Sequence, residues 1–157
     1  MTGRAWAVLA DVPDPEIPVV SVVELGIVRA VDESNDGHAV TVTLTPTYSG
    51  CPATEVIARD VRSALEATYD VVEVRTQLSP AWTTDWITES AREKLRGFGI
   101  APPGKVLLPL VGVGRPESCP HCGAAEVEEL AGFGSTPCKA LWRCTTCREP
   151  FDYFKKH

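Results

Sequence analysis

A chain of 157 residues can hold one ordinary core and a small satellite module. With 15 Lys and Arg against 21 Asp and Glu, its net charge of −6 gives no general attraction for nucleic acid or an anionic membrane, and neither is expected as a partner. No stretch approaches the ~20 continuous apolar residues of a spanning helix, and Ala5 to Ala10 is too short and weakly flanked for a secretion signal. A cytoplasmic protein is therefore expected, and in that reducing compartment six cysteines point to metal or redox chemistry, not disulfides.

From the amino end, Arg4 to Asp11 is expected to form one or two helical turns with Trp6 and Leu9 buried. Pro13, Pro15 and Pro18 then restrict the backbone and remove three N–H donors, so Asp14 and Glu16 sit on a stiff extended or turning segment. By residue type alone this is a solvated proline turn. Val19 to Leu25 is short and apolar and ends at Gly26, which suits a capped helical turn. Ile27 to Val31 reads as a strand, Asn35-Asp36-Gly37 as a tight turn, and Ala39 to Thr45 as the returning strand of a hairpin. In that strand Val40, Val42 and Leu44 alternate with Thr41, Thr43 and Thr45, the pattern of one buried face.

The segment Thr45-Pro46-Thr47-Tyr48-Ser49-Gly50-Cys51-Pro52 lies where strand patterning ends and helix patterning begins. Pro52 suits the first helical position, and Val56, Ile57, Val61, Ala64 and Leu65 recur on one side of a helix running to about Thr68. Cys51 then sits at the helix entrance. Unpaired N–H groups and the positive end of the helix dipole favour a thiolate there, as nucleophile or metal ligand, although Glu55 opposes this. The alternative is a small buried hydrophobe. None of His38, His121 and His157 is placed to serve Cys51 as a base, so intrinsic thiol catalysis is not expected.

Val71 to Leu78 alternates again, with Val72, Val74, Thr76 and Leu78 facing one way, and reads as a third strand. Thr84 can cap a helix that buries Trp86, Ile87, Ala91 and Leu95 and ends at Arg96-Gly97, and Trp82 is expected in the core. The fold class is α+β: a small mixed sheet of hairpin, helix and strand with helices on one face, followed by a small zinc ribbon. The domain limits are 1–101, a Pro- and Gly-rich linker at 102–117, and the ribbon at 118–157.

Cys119-x-x-Cys122 and Cys144-x-x-Cys147 are separated by 21 residues, close to the spacing of two knuckles that present four thiolates to zinc. The 39 residues from Cys119 onward cannot build an adequate core, so structural zinc is expected to hold them. Rubredoxin-like iron or a redox C-x-x-C is the rival. His121 reads as a loop residue within the knuckle. Cys138 is a buried thiol, an alternative ligand or a second functional sulfur, and the sequence does not choose. Phe151 to Lys156 reads as the last ribbon strand or as an exposed aromatic docking surface.

Three motifs in order, Asp14-Pro15-Glu16-Ile17-Pro18, Glu24-Leu25-Gly26-Ile27-Val28 and Leu44-Thr45-Pro46-Thr47 through Gly50-Cys51-Pro52, resemble the SufT-like iron-sulfur cluster assembly family over about the first hundred residues. The tail, with Cys119-Pro120-His121-Cys122, Phe133 to Leu141 and Cys144 to Phe151, resembles the PaaD family, the D subunits of phenylacetyl-CoA oxygenase (epoxidase) systems. The resemblance implies that the acidic motif lies near the cysteine loop. It makes Cys51, Asp14, Glu16, Thr45 and Thr47 a candidate site for transient iron or an iron-sulfur cluster. It further implies an accessory maturation role, with the di-iron subunit or iron-sulfur flavin reductase of the oxygenase as partners. A structural or regulatory subunit without metal transfer is the alternative, and self-association is left open.

Overall fold

The computed structural model describes residues 3–104 and 114–156. They form two compact units, the first running to Trp82 with Trp86–Thr88, the second comprising Thr83–Asp85 and the chain from Glu89 onward.

The first unit is built on β1 (Val28–Glu33), β2 (Ala39–Leu44) and β3 (Val71–Thr76), with β2 in the middle, antiparallel to β1 and parallel to β3. The alternation in β2 is realised directly, since Val40, Val42 and Leu44 are buried and the intervening threonines are only half-buried. Gly37, at φ 73°, supplies the left-handed position of the hairpin turn. Helix α2 (Ala53–Glu66) lays Ala53, Ile57, Val61 and Leu65 on one buried stripe at four-residue spacing. Each of the three larger side chains in it contributes roughly 1.5–3 kcal/mol. Helix α1 (Arg4–Ala10) buries Ala5 and Leu9, not the expected Trp6, because a two-turn helix has room for only one four-residue pair on its inner side. Strand β3 stops at Thr76, short of the expected Leu78. Its pairing with β2 ends at Leu44↔Thr76, and Leu78 is exposed.

Between α1 and β1 the chain packs without regular structure, yet it buries Val12, Ile17, Val20, Val22, Leu25 and Ile27. Local hydrogen bonds hold it. The Asp14 carboxylate accepts from the N–H groups of Glu16 and Ile17, both at 2.9 Å, and the Asp14 N–H donates to Val20 O at 2.9 Å. Ser21 and Glu24 form a reciprocal capping box, the Glu24 N–H donating to Ser21 Oγ at 3.2 Å and the Ser21 N–H to Glu24 Oε2 at 3.0 Å.

In the second unit a 3₁₀ turn (Thr84–Trp86), whose last residue belongs with the first unit, precedes α3 (Glu89–Gly97). The single helix expected from Thr84 is thus two elements. The sheet runs β4–β7–β6–β5, with β4 (Ile100–Ala101) parallel to β7 (Pro150–Phe154), and β6 (Lys139–Cys144) antiparallel to both β7 and β5 (Val127–Ala131). Its core is Ala101, Cys119, Ala140, Trp142, Cys144, Phe151 and Tyr153.

One expectation is corrected here, and one choice between two readings is decided. The first domain was expected to run to residue 101, but α3 and β4 group with the ribbon. The reason is pairing at a distance: Ile100 and Ala101 lie beside Asp152 and Tyr153, and the buried Arg92 guanidinium donates to the carbonyls of Thr84, at 2.7 Å, and Pro103. Of the expected 102–117 linker, residues 105–113 lie outside the described residues. Phe151, Tyr153 and Phe154 are buried, so the closing strand is part of the ribbon interior and not an exposed aromatic surface.

Candidate metal centre and cysteine loop

The two C-x-x-C knuckles converge. In the first, the Gly123 N–H donates to Cys119 O at 2.9 Å with Gly123 in the left-handed region, so the chain turns back within five residues. In the second, β6 delivers Cys144 at its end, Arg148 turns the chain at φ 67°, and the Cys144 N–H donates to Glu149 O at 3.1 Å. The sulfurs of Cys119 and Cys147 are 3.8 Å apart, those of Cys122 and Cys144 are 3.6 Å apart, and all four lie within 4.8 Å of one another. A tetrahedral shell with metal–sulfur bonds of about 2.3 Å has sulfurs about 3.8 Å apart. The four cysteines therefore fit a metal.

The electrostatics agree with this. The Cys147 N–H, 3.4 Å from Cys144 Sγ, is the main cause that brings the Cys144 thiol down to about 6. For Cys147 the Glu149 N–H pulls downward, but burial and the three neighbouring sulfurs outweigh it and push the thiol up to about 12. One thiolate is easily formed there. Four together need a cation among them. His121 stands outside the set: its N–H donates to Cys119 Sγ at 3.4 Å, and its ring meets Phe151 edge-on at 6.5 Å. Cys138 is likewise outside it, 4% exposed, with Thr136 Oγ1 3.0 Å from its sulfur.

The second candidate region belongs to the first unit. Strands β2 and β3 are parallel and joined through α2, so residues 45–52 lie at the carboxyl end of the parallel pair and at the amino end of the crossover helix. In open α/β arrangements this is where ligands gather. Thr45 anchors the loop by donating its N–H to Ile27 O at 2.8 Å, and Gln77 does the same for Leu44 O at 2.8 Å. The Thr45 side chain is 1% exposed, and among the described residues its Oγ1 has no hydrogen-bond partner. Gly50, at φ 88°, closes a turn in which the Cys51 N–H reaches Tyr48 O at 3.3 Å. Cys51 and Thr47 are half-buried, and Pro52 occupies the cap of α2, which has no side-chain capping bond, one position earlier than expected.

Thr45, Thr47 and Cys51 thus share one short segment, while Asp14 and Glu16 lie on the loop before β1. Asp14 is buried and holds its own loop, and Glu16 is exposed. The capping role of Asp14 was missed at the level of sequence, although an aspartate two and three residues before the N–H groups it binds is a recognisable Asx pattern. In metal-loaded native protein, a cysteine-alkylating reagent should modify Cys51 first. Cys138 should react only on unfolding, and the four knuckle cysteines only after chelation. Peptide mass spectrometry checks this, and a Cys51 that stays unmodified until the protein unfolds would establish it as a packing residue.

Residues 4–76 match the iron-sulfur cluster assembly protein family, and residues 110–155 match the PaaD zinc beta ribbon domain. The chain is 49% identical over 156 residues, 96% of its own length and 90% of the relative's, to a protein of Escherichia coli (strain K12) provisionally named as the D subunit of 1,2-phenylacetyl-CoA epoxidase. The chain belongs to the PaaD family. The assembly-domain part of this PaaD-family chain is 44% identical over 92 residues, 57% of this chain and 85% of the relative, to an Fe-S protein maturation auxiliary factor of Porphyromonas gingivalis (strain ATCC BAA-308 / W83). It is also similar to the crystal structure of a domain of unknown function from Bacillus anthracis, with a TM-score of 0.54 at 29% identity, covering 59% of this chain and 88% of that one. No helix among the described residues is long and apolar enough to cross a membrane.

Proposed function

We propose that this PaaD-family chain is a maturation factor that delivers iron or an iron-sulfur unit to a component of a phenylacetyl-CoA oxygenase, with Cys51 as the transfer ligand and zinc as a structural ion in the ribbon. The observation that carries the reading is a half-exposed cysteine on the loop that ends two parallel strands, in the unit that matches the iron-sulfur cluster assembly family. A resident cluster needs about four cysteines, whereas one sulfur holds its cargo loosely, as transfer requires. Thr45, whose hydroxyl is buried without a partner among the described residues, and Thr47 precede that sulfur on the same loop and are the groups proposed to bond the cargo's own ligands. Asp14 keeps the neighbouring backbone in place and Glu16 remains a candidate oxygen ligand. Support for the recipient comes from the name of the Escherichia coli relative, and support for the chemistry from the name of the Porphyromonas gingivalis relative. A closed four-thiolate shell leaves no position for substrate, which supports a structural ion, and the match to a zinc beta ribbon domain supports zinc as that ion.

The test is the iron content and phenylacetyl-CoA turnover of the other oxygenase components, purified from cells that lack this chain, contain it in native form, or contain Cys51→Ala. Low iron is expected in the first and third preparations. Normal iron in all three rejects maturation. If the components are fully metallated yet inactive until this chain is added, and Cys51→Ala restores them as well as the native protein does, the chain is instead a stoichiometric component of the oxygenase.

A further inference from the structure

The hairpin loop between β5 and β6, which includes Phe133-Gly134-Ser135-Thr136-Pro137-Cys138, has no part in the metal centre, yet it is held by an unusual number of polar contacts. The Gly134 N–H donates to Lys139 O at 2.7 Å and the Lys139 N–H to Thr136 O at 3.0 Å. Ser135 Oγ donates to Asp152 Oδ2 at 2.8 Å, and the Lys139 ammonium, its side chain 5% exposed, lies 3.5 Å from the same oxygen. Lys155 donates to Gly132 O at 3.1 Å. Any side chain at Gly134 would run into Asp152.

What this framework holds is a phenylalanine in water. Phe133 is 72% exposed, the most exposed of the large apolar side chains among the described residues, and Leu130, three residues earlier on β5, is 47% exposed. The Lys155 ammonium sits 4.3 Å from the Phe133 ring centroid and covers only one side. Burying Lys139 carries a desolvation cost that its pairing with Asp152 opposes, and Phe133 is left without burial in the same loop. A loop backbone already held by hydrogen bonds loses little entropy on docking, which suits the aromatic it carries to the role of an interface anchor. The charges around it are mixed: Lys155 lies on the ring, Glu128 on the outer strand β5 is paired with Arg143 of β6, and the exposed Glu129 has its Oε1 3.5 Å from where a Cβ on Gly132, the residue before Phe133, would lie.

We propose that this hairpin is a protein-docking surface, with Phe133 as anchor, for a partner protein whose surface offers an apolar pocket with a lysine or arginine at its rim to meet Glu129. The choice of partner to test, an iron-bearing component of the oxygenase, rests on the proposed function. The experiment measures binding of the whole metal-loaded protein to the purified di-iron subunit and to the purified reductase, using native chain, Phe133→Ser, Phe133→Trp and Glu129→Lys, with metal content and circular dichroism as folding controls. One component should bind the native chain. Phe133→Ser should weaken that binding at least about tenfold, Phe133→Trp should retain it, and Glu129→Lys should weaken it and flatten its salt dependence. Equal binding by all four proteins, or binding of neither component by the native chain, overturns the proposal. A native dimer that Phe133→Ser converts to monomer, seen by sedimentation, also overturns it by making a second copy the occupant. Failure here is separable from failure of the maturation reading, because Cys51→Ala leaves the hairpin intact and its effect on recipient iron is measured independently.

Discussion

Removing the metal from the native protein should unfold the ribbon while the β1–β2–β3 sheet stays protected from hydrogen exchange. Among the described residues the core around the knuckles consists of seven buried residues, two of them the candidate ligands Cys119 and Cys144. So small a core does not offset the conformational entropy of the strands that surround it. Metal binding supplies on the order of 10 kcal/mol in sites of this kind, comparable to the whole stability of an ordinary small domain. The same energy is withdrawn by acid, since each ligand that takes a proton is lost to the metal. Chelation, or Cys144→Ser, should therefore abolish exchange protection in β5, β6 and β7, and chelation should free four thiols. Re-addition of zinc should restore protection to the native chain. Persistent protection of β6 and β7 in the chelated protein would establish that the ribbon's own packing suffices.

Replacing Gly26 by valine should destabilise the first unit by about 2–5 kcal/mol, from a left-handed backbone that a β-branched residue does not tolerate plus overpacking. Gly26 has φ 71°, and a Cβ there would lie 2.6 Å from Trp86 Cβ and 2.8 Å from Trp86 O. The clash cannot be relieved cheaply. The carbonyls before Gly26 are both engaged, Glu24 O by the Thr88 N–H at 2.9 Å and Leu25 O by Trp82 Nε1 at 3.0 Å, and Trp86 is itself held under the Arg29 guanidinium. Urea denaturation should show a lower midpoint for the fluorescence change of Trp82 and Trp86, with bound metal unaffected. A midpoint within error of the native one would mean that the turn is free to relax.

The strands and helices with a sustained period were legible before the fold was known. Val40, Val42 and Leu44 point inward as their spacing implies, and the stripe of Ile57, Val61 and Leu65 follows the helical period. Trp6, Leu78 and the helix expected from Thr84 were misplaced for one shared reason. Near the end of an element the period holds too few residues to define a face, and long-range packing decides. Phe151, Tyr153 and Phe154 form the closing ribbon strand, one of the two readings their alternation allowed, and only their burial rules out the other, whereas Phe133 lies in a stretch with no period at all and is in water.

By itself the sequence determined the pairing of the four knuckle cysteines, the hairpin, the cysteine at a strand–helix junction and the family, because cysteine spacing, alternation and turn residues are local properties written within a few positions of one another. Only the tertiary structure decided that α3 and β4 belong with the ribbon, that Asp14 is engaged in holding its own loop, that the Thr45 hydroxyl is buried without a partner among the described residues, and that a buried lysine pairs with an aspartate under the loop that exposes Phe133. These features depend on groups brought together from opposite ends of a unit, as Ile100 is with Asp152, or on the absence of a partner. Burial and the lack of a hydrogen bond are properties of everything that surrounds a residue, which no window of sequence contains.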